Sequence, residues 1–224
     1  MKKKFTLSSV EARKDLATFL QRAARVGHES ARLVANSGYL QVYVGILFPR
    51  GILDTTPTVL GLRVFSVAAE DNFDAVVPIM SLLSRVESSL AGGHQELELP
   101  SEAISLAWAA ITPPRRGWRR RRGIASEVLS NSSALGVARV TQALPENIGE
   151  AILQKVRAEV WGTPLEENSR IPAGAAFATD ALGFLSERML QVHTVGNWVR
   201  LSSKSGYVLV RFHAVDDRWL ENKD

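Results

Sequence analysis

The chain has 224 residues, of which 46% are hydrophobic and 22% charged, a globular composition long enough for one large or two small domains. It contains no cysteine, which excludes disulfides, thiolate zinc sites and a cysteine nucleophile. The formal net charge is +4, with 27 basic and 23 acidic residues, so the way the charge is distributed matters more than its total.

The first predicted element is a helix near the N-terminus. Ser8 and Glu11 form a capping-box pattern, apolar residues then recur at helical spacing, and Gly27 is a typical helix end. Charged residues interrupt this segment before any apolar stretch of signal-peptide length, and no apolar run approaches the roughly 18 residues of a membrane span. We therefore expect a cytoplasmic protein, which the absence of cysteine also favours.

Strands dominate the next part of the chain. The turn signal at 36–38 (NSG) lies between two β-rich segments and predicts a hairpin. Asp71 or Asn72 is expected to cap a helix, which the glycine pair at 92–93 ends. The predicted strands are 31–35, 39–48, 59–68 and 96–99, and the predicted helix covers 73–86.

The second half of the chain ends in three strands, with a turn at 203–206 between the last two. Before them, residues 172–188 are typical of a helix with a small-residue face. Segment 150–161 fits both a helix and an alternating strand. The predicted strands of this half are 134–144, 190–195, 198–202 and 207–212.

The two halves show a similar order of elements, which suggests a tandem repeat with a β-β-α-β-β core. Chance similarity between amphipathic strands is the alternative interpretation. The repeat favours a strand for 150–161. The predicted fold class is α+β with two similar lobes, each a mainly antiparallel sheet with a packed helix, over residues 1–122 and 123–224.

The strongest functional signal is the segment 113–122 (PPRRGWRRRR). Its arginines are Arg115, Arg116, Arg119, Arg120, Arg121 and Arg122. Outside this segment and the lysines at 2–4, acidic residues outnumber basic ones, so the positive charge is local. Successive arginines cannot occupy a buried central strand, because an unpaired buried guanidinium costs several kcal/mol. We expect the segment either to fray or to form an edge strand.

Arginine guanidinium groups bind phosphate oxygens bidentately, and each phosphate neutralised releases counterions. Trp118 offers a face on which a base could stack. The arginine segment therefore predicts a contact with the backbone of DNA or RNA. Two alternatives stay open: a solvated linker between the lobes, in which some arginines pair with acidic residues of the same protein, and a contact with an acidic protein partner or an acidic membrane surface. As a rival function, a protein–protein adaptor or chaperone-like module would use strand edges and the small-residue face of 172–188.

No catalytic signature is present in the sequence. Phosphate-binding glycine loops, a nucleophile elbow and histidine spacings of metal sites are all absent. His193 and His213 could lie on neighbouring strands near Asp216 and Asp217 and bind zinc or relay a proton, although two strand histidines without such a role are the favoured interpretation. We predict no catalytic, metal or cofactor site and expect a non-enzymatic binding or regulatory protein.

Overall fold

The computed structural model describes residues 3–51, 53–101, 106–143, 149–165 and 171–213. The chain divides into two compact units. Unit 1 comprises residues 1–45, 61–112 and 181–183, and unit 2 comprises residues 46–60, 113–180 and 184–224. Among the described residues, no helix combines the length and the apolar character that crossing a membrane requires.

Unit 1 consists of strands and two helices. Its elements are β1 (Lys4–Thr6), α1 (Val10–Arg25), β2 (Ser30–Asn36), β3 (Tyr39–Leu47), β4 (Thr58–Ser66), β5 (Phe73–Pro78), α2 (Ile79–Gly92) and β6 (Glu96–Glu98), with the end of β3 and the start of β4 assigned to unit 2. The order of the larger sheet is β5-β2-β3-β4, and β2 pairs antiparallel with β3 and β5. β1 and β6 form a separate antiparallel ladder.

The first helix and the hairpin after it are confirmed. The Ser9 side chain caps α1 by accepting a hydrogen bond from the Ala12 backbone N–H at 3.1 Å, one residue later than the Ser8 cap that the sequence suggested. Gly27 follows the helix with a φ of 84°, the left-handed conformation that glycine adopts readily. Ser37 and Gly38, also with positive φ, form the tight turn between β2 and β3.

The predicted helix over 73–86 is wrong in its first part. Phe73, Ala75 and Val77 are buried at alternating positions, and residues 73–78 form β5 beside β2. The helix α2 begins only after Pro78, because the residue before a proline is driven towards extended backbone. Apolar residues lie on both sides of this proline, and their combined spacing resembles that of a single helix. The sequence pattern therefore predicts one helix where the structure has a strand followed by a helix.

The short 3₁₀ helix at Ala107–Ala110 brings a large side chain onto the unit 1 sheet. Trp108 is only 4% exposed and packs against Gly45 on β3. A Cβ atom at position 45 would lie 2.8 Å from two indole carbons, so the indole occupies the space that a side chain would need.

Unit 2 combines an antiparallel sheet with three helices. Its elements are β7 (Arg119–Ala125), α3 (Ser126–Ala143), α4 (Glu150–Gly162), α5 (Ala173–Ala181), β8 (Met189–Val195), β9 (Trp198–Ser203) and β10 (Gly206–Arg211). The order of strands is β10-β9-β8-β7, with antiparallel pairing throughout. The three C-terminal strands are confirmed. The fold class is α+β with antiparallel sheets and two lobes, as predicted.

Two predicted strands of unit 2 are helices instead. Residues 134–143 belong to α3, and 150–161 belong to α4. The buried residues of α3 are Leu129, Ser133 and Gly136, which recur at helical spacing, and Gly136 provides the space for Trp161 of α4. The segment-by-segment correspondence of the two halves is therefore wrong at these positions.

The predicted helix over 172–188 ends early, at Ala181. The turn that follows includes Gly183 with a φ of 72°. The small-residue face of α5 is buried, and Gly174 packs against the backbone and side chain of Trp161. This face is thus part of the core of unit 2 and is not available to an adaptor partner.

We predict that Gly45→Ala lowers the free energy of unfolding by about 1–3 kcal/mol, because the added methyl group overpacks against the Trp108 indole. Urea denaturation measures this change. Gly51→Ala is the matched control, since open space surrounds position 51. Equal losses of stability in both variants would contradict the packing of Trp108 on β3.

Candidate nucleic-acid interface

The arginine segment forms the outermost strand of the unit 2 sheet. β7 pairs with β8, with Arg119 opposite Thr194, Arg120 opposite His193 and Arg121 opposite Val192. An edge strand was one of the two arrangements expected from the sequence, and it leaves one side of the strand open to solvent. Residues 119–122 are therefore part of a sheet, and the linker interpretation is wrong for them.

Most of the predicted arginines are exposed. They are Arg115, Arg116, Arg119, Arg120 and Arg122. Among the described residues, none of these five guanidinium groups forms an ion pair with a carboxylate. Arg121 differs, because it is half-buried and its Nε donates a hydrogen bond to Thr194 Oγ1 at 3.0 Å.

A β-bulge interrupts β7 between Arg121 and Ile124. Gly123 lies in this bulge, where a Cβ atom would come within 2.8 Å of the Leu190 carbonyl oxygen. Bulges twist a strand locally and redirect its side chains. Before the bulge, arginines of β7 pair with β8, and after it the apolar Ile124 pairs with Leu190.

The loop before β7 is fixed by Trp118. Its indole Nε1 donates a hydrogen bond to the Pro114 carbonyl oxygen at 2.8 Å, and Gly117 adopts a φ of 86°. Trp118 is half-buried, and the guanidinium carbon of Arg200 lies 4.7 Å from its ring centroid. One partner of the Trp118 ring is therefore already a cation of the same protein.

A row of basic side chains crosses the outer face of this sheet. Arg120 on β7 lies opposite His193 on β8, which in turn lies opposite Arg200 on β9. Residues directly opposite one another share a face of the sheet. On β8 and β9 the other face is buried, with Val192 and Leu201 opposite each other, and Arg121 of β7 extends it at the edge.

The two arginines of this row shift the protonation of the histidine that lies between them. Burial lowers the pKa of His193, and the charges of Arg200 and Arg120 lower it further. Burial also lowers the pKa of Arg200, which Tyr207 partly offsets. In the described part of the chain, no carboxylate forms an ion pair with Arg120 or Arg200.

The two histidines do not form a joint site. His193 lies on β8, and His213 follows β10, so β9 separates the strands that were expected to be neighbours. Asp216 and Asp217 lie outside the described residues. Within the described ranges, no group of three or more histidine, aspartate or glutamate side chains could hold a metal ion.

Sequence reasoning missed Arg200, Ser202 and Tyr207. The alternation of 198–202 could have placed Arg200 and Ser202 on one face of a strand. Which neighbouring strand faces them depends on long-range pairing, which the local pattern does not contain.

Comparisons with known proteins place this geometry in a structural context. Residues 1–110 match a family model described as "Domain of unknown function (DUF8010)", and residues 113–215 match one described as "Domain of unknown function (DUF8185)". The search of curated proteins found no match.

Several solved structures are similar to the whole chain. The DNA polymerase sliding clamp from Caulobacter crescentus has a TM-score of 0.50 at 12% identity, covering 99% of this chain and 69% of that chain. A putative DNA polymerase III beta subunit from Eubacterium rectale gives 0.49 at 9% identity, covering 98% and 68%. DNA polymerase III subunit beta from Borrelia burgdorferi gives 0.49 at 8% identity, covering 99% and 68%. The similarity to the Caulobacter crescentus clamp shows a shared fold.

We predict that Gly123→Ala weakens the pairing of β7 with β8, because its methyl group would clash with the Leu190 backbone oxygen. Hydrogen exchange of the β7 amides should accelerate by roughly tenfold, since a loss of about 1.4 kcal/mol in local stability changes an opening equilibrium by that factor. The Gly51→Ala variant should leave these amides unchanged. Unaltered exchange in Gly123→Ala would contradict the described bulge.

We also predict that the pKa of His193 lies below its usual value of 6.5 and rises in the Arg200→Gln variant. The variant removes a positive charge that disfavours the imidazolium, so the protonated form becomes easier to reach. Titration of the imidazole signals by NMR measures both values. Arg211→Gln, an exposed change on β10, is the control and should leave the His193 pKa where it was.

Proposed function

We propose that this protein is a non-enzymatic, cytoplasmic binding protein that contacts the backbone of DNA or RNA through an arginine surface. The arginine surface consists of Arg115, Arg116, Arg119, Arg120 and Arg122. The observation that carries the proposal is that these exposed guanidinium groups are held on an outermost strand and its preceding loop, with no carboxylate pairing among the described residues.

The chemistry of these groups suits phosphate better than base edges. Guanidinium forks remain charged at any working pH and bind phosphate oxygens bidentately. Along a strand, successive side chains alternate between faces, so Arg119 and Arg120 diverge. A set of diverging cations can follow a flexible or curved backbone, whereas base recognition requires side chains that converge in a groove. We therefore expect little sequence preference.

Trp118 is the proposed stacking residue of this interface. Its half-buried indole is anchored to Pro114, so it presents a fixed ring beside the exposed arginines. Stacking of a base on an aromatic ring contributes roughly 1–3 kcal/mol. Because Arg200 already contacts this ring, we expect the contribution of Trp118 to be at the lower end of that range.

The fold favours DNA as the first ligand to test. The structure shares its fold with a protein named as a DNA polymerase sliding clamp. Because the sequence identity is only 12%, the similarity supports DNA binding only through the shared fold. The specific argument for a nucleic-acid contact comes from the arginine surface.

A protein partner is the second candidate, and exposed apolar side chains on the helices of unit 2 favour it. Val128 and Leu135 are seven residues apart on α3 and share one side of the helix, and Leu135 is 62% exposed. Ile152 on α4 is also exposed. A partner that covers these residues would bind with little dependence on salt, unlike a ligand of the arginine surface.

Fluorescence anisotropy across a salt series tests the nucleic-acid proposal. We compare the intact protein with a variant in which Arg115, Arg116, Arg119 and Arg122 are changed to glutamine, which leaves the hydrogen-bonded Arg121 in place. The intact protein should bind DNA with a steep salt dependence. The variant should lose about 0.9 of log–log slope for each duplex phosphate contact removed, or about 0.7 for each in single strands.

A matched control distinguishes the effect of losing these particular arginines from the effect of lowering the net charge. Changing the exposed Arg25, Arg139, Lys155 and Arg188 to glutamine also takes the formal net charge from +4 to 0. This control should keep the salt slope of the intact protein. Failure of the intact protein to bind DNA or RNA at low salt, or equal losses in both variants, would overturn the proposal and direct attention to a protein partner.

A further inference from the structure

On the outer face of the unit 2 sheet, three buried polar atoms have no hydrogen-bond partner among the described residues. They are His193 Nδ1, Arg200 Nε and Ser202 Oγ. His193 lies opposite Arg200 on the neighbouring strand, and Ser202 lies on the same face of β9 as Arg200. Buried polar groups in folded proteins are nearly always paired, so a cluster of unpaired ones on one face requires an explanation.

The charges of the same cluster are also unbalanced. Arg200 contacts two aromatic rings, with its guanidinium carbon 4.7 Å from the centroid of Trp118 and 5.7 Å from that of Tyr207. Aromatic faces stabilise a cation only in part, and they accept no strong hydrogen bond from it. Arg120 on β7 adds a second positive charge on the other side of His193. Within the described ranges, the cluster has no anion that accepts hydrogen bonds from it and balances its charge.

We propose that the outer face of β7, β8 and β9 is a binding site for one phosphate group, formed by Arg120, His193 and Arg200. The three side chains stand side by side on one face across neighbouring strands, so one ligand lying on that face can contact all of them. A phosphate offers several oxygens to such donors, and Arg200 can present its guanidinium edge while its plane stays against Trp118. Ser202 adds a hydroxyl donor beside them.

The site shares Arg120 with the arginine surface of the proposed function, and a free phosphate monoester has the same oxygens as a nucleic-acid backbone. It involves Arg120 but none of the four arginines changed in the salt-series variant. A phosphate on the site could come from a small molecule or from a nucleic-acid strand that also touches the arginine surface. The shared chemistry is a phosphate group, and the ligands used in the experiment distinguish its sources.

The site should bind more tightly at lower pH. The charged groups that face His193 are Arg120 from β7 and Arg200 from β9, and both disfavour its protonation in the free protein. A bound oxyanion reverses this effect, so the pKa of His193 is higher in the complex than in the free protein. Affinity therefore rises as the pH falls through the range between these two pKa values.

NMR titration with inorganic phosphate tests the proposal, with the imidazole of His193 and the Nε–Hε of Arg200 as reporters. We expect saturable shifts at both side chains, and a dissociation constant at least tenfold higher for Arg200→Gln. Arg200→Lys, which keeps the charge but loses the guanidinium fork, should fall between the two. Arg211→Gln removes the same charge from an exposed position of the sheet and should bind like the intact protein.

The pH arm uses sulfate, an oxyanion that does not titrate near neutrality. Sulfate should bind more tightly below the usual histidine pKa of about 6.5 than above it, and His193→Gln should abolish that dependence. Binding that is independent of pH in the intact protein would overturn the role of His193.

Two further ligands, a mononucleotide and a dinucleoside monophosphate, distinguish a free or terminal phosphate from a backbone phosphate. Saturation by the mononucleotide alone supports a site for a free or terminal phosphate, and equal saturation by both supports a backbone phosphate. The salt-series variant keeps Arg120 and should retain the phosphate response even where it no longer binds DNA. The absence of any saturable shift in the intact protein at millimolar phosphate, or unchanged affinity in Arg200→Gln, would overturn the proposal.

Discussion

The arrangement of unit 2 depends on one constraint: guanidinium groups cannot be buried without partners. Four successive arginines at 119–122 point alternately to both faces of any strand they form, so a central position in a sheet would bury some of them unpaired. The outermost position resolves this conflict, because β7 pairs with β8 on one side and, in the part of the chain that the structure describes, with no strand on the other. Arg121, the half-buried member, donates to Thr194 and is accommodated at this edge.

The two faces of the same sheet differ in character, although Arg119 and Arg121 of its outermost strand lie on the same face as the buried Val192. One face contributes buried residues such as Val192 and Leu201 to the core, and the other carries Arg120, His193 and Arg200. The core face fixes the register, because a slip by one residue would exchange the two faces. The row of basic side chains is therefore positioned by the packing of the opposite face. We expect its geometry to be the same with and without a bound ligand.

Parts of the fold with strong local periodicity could be predicted from the sequence. Helix α1 and the hairpin of β2 and β3 follow from capping, spacing and turn residues that lie close together in the chain. The sequence predicts a strand for the part of α3 from residue 134 onward, because only Leu129, Ser133 and Gly136 are buried in this helix and several of its exposed residues are apolar. Its polar and apolar faces differ too little for a pattern to reveal its period.

The candidate site was predictable only in part, for a related reason. The arginine segment is a local feature of composition, and the argument against burying it needs no tertiary information. Arg200 and Ser202 become relevant through cross-strand pairing, which joins residues about eighty positions apart in the chain. The row of basic side chains thus exists only because of the strand register. That register cannot be predicted from the local pattern of a single sequence.

The most direct test of the central claim is to map where DNA touches the protein. Arginine Nε–Hε signals would be followed by NMR while a single-stranded DNA of about ten nucleotides is added, a length within the site sizes of single-strand binding folds. The account predicts that the largest shifts fall on the arginine surface at 115–122 and extend to Arg200, with Arg25 and Arg139 unaffected. Shifts that centre on α1 or α3, with the arginine surface unchanged, would contradict it.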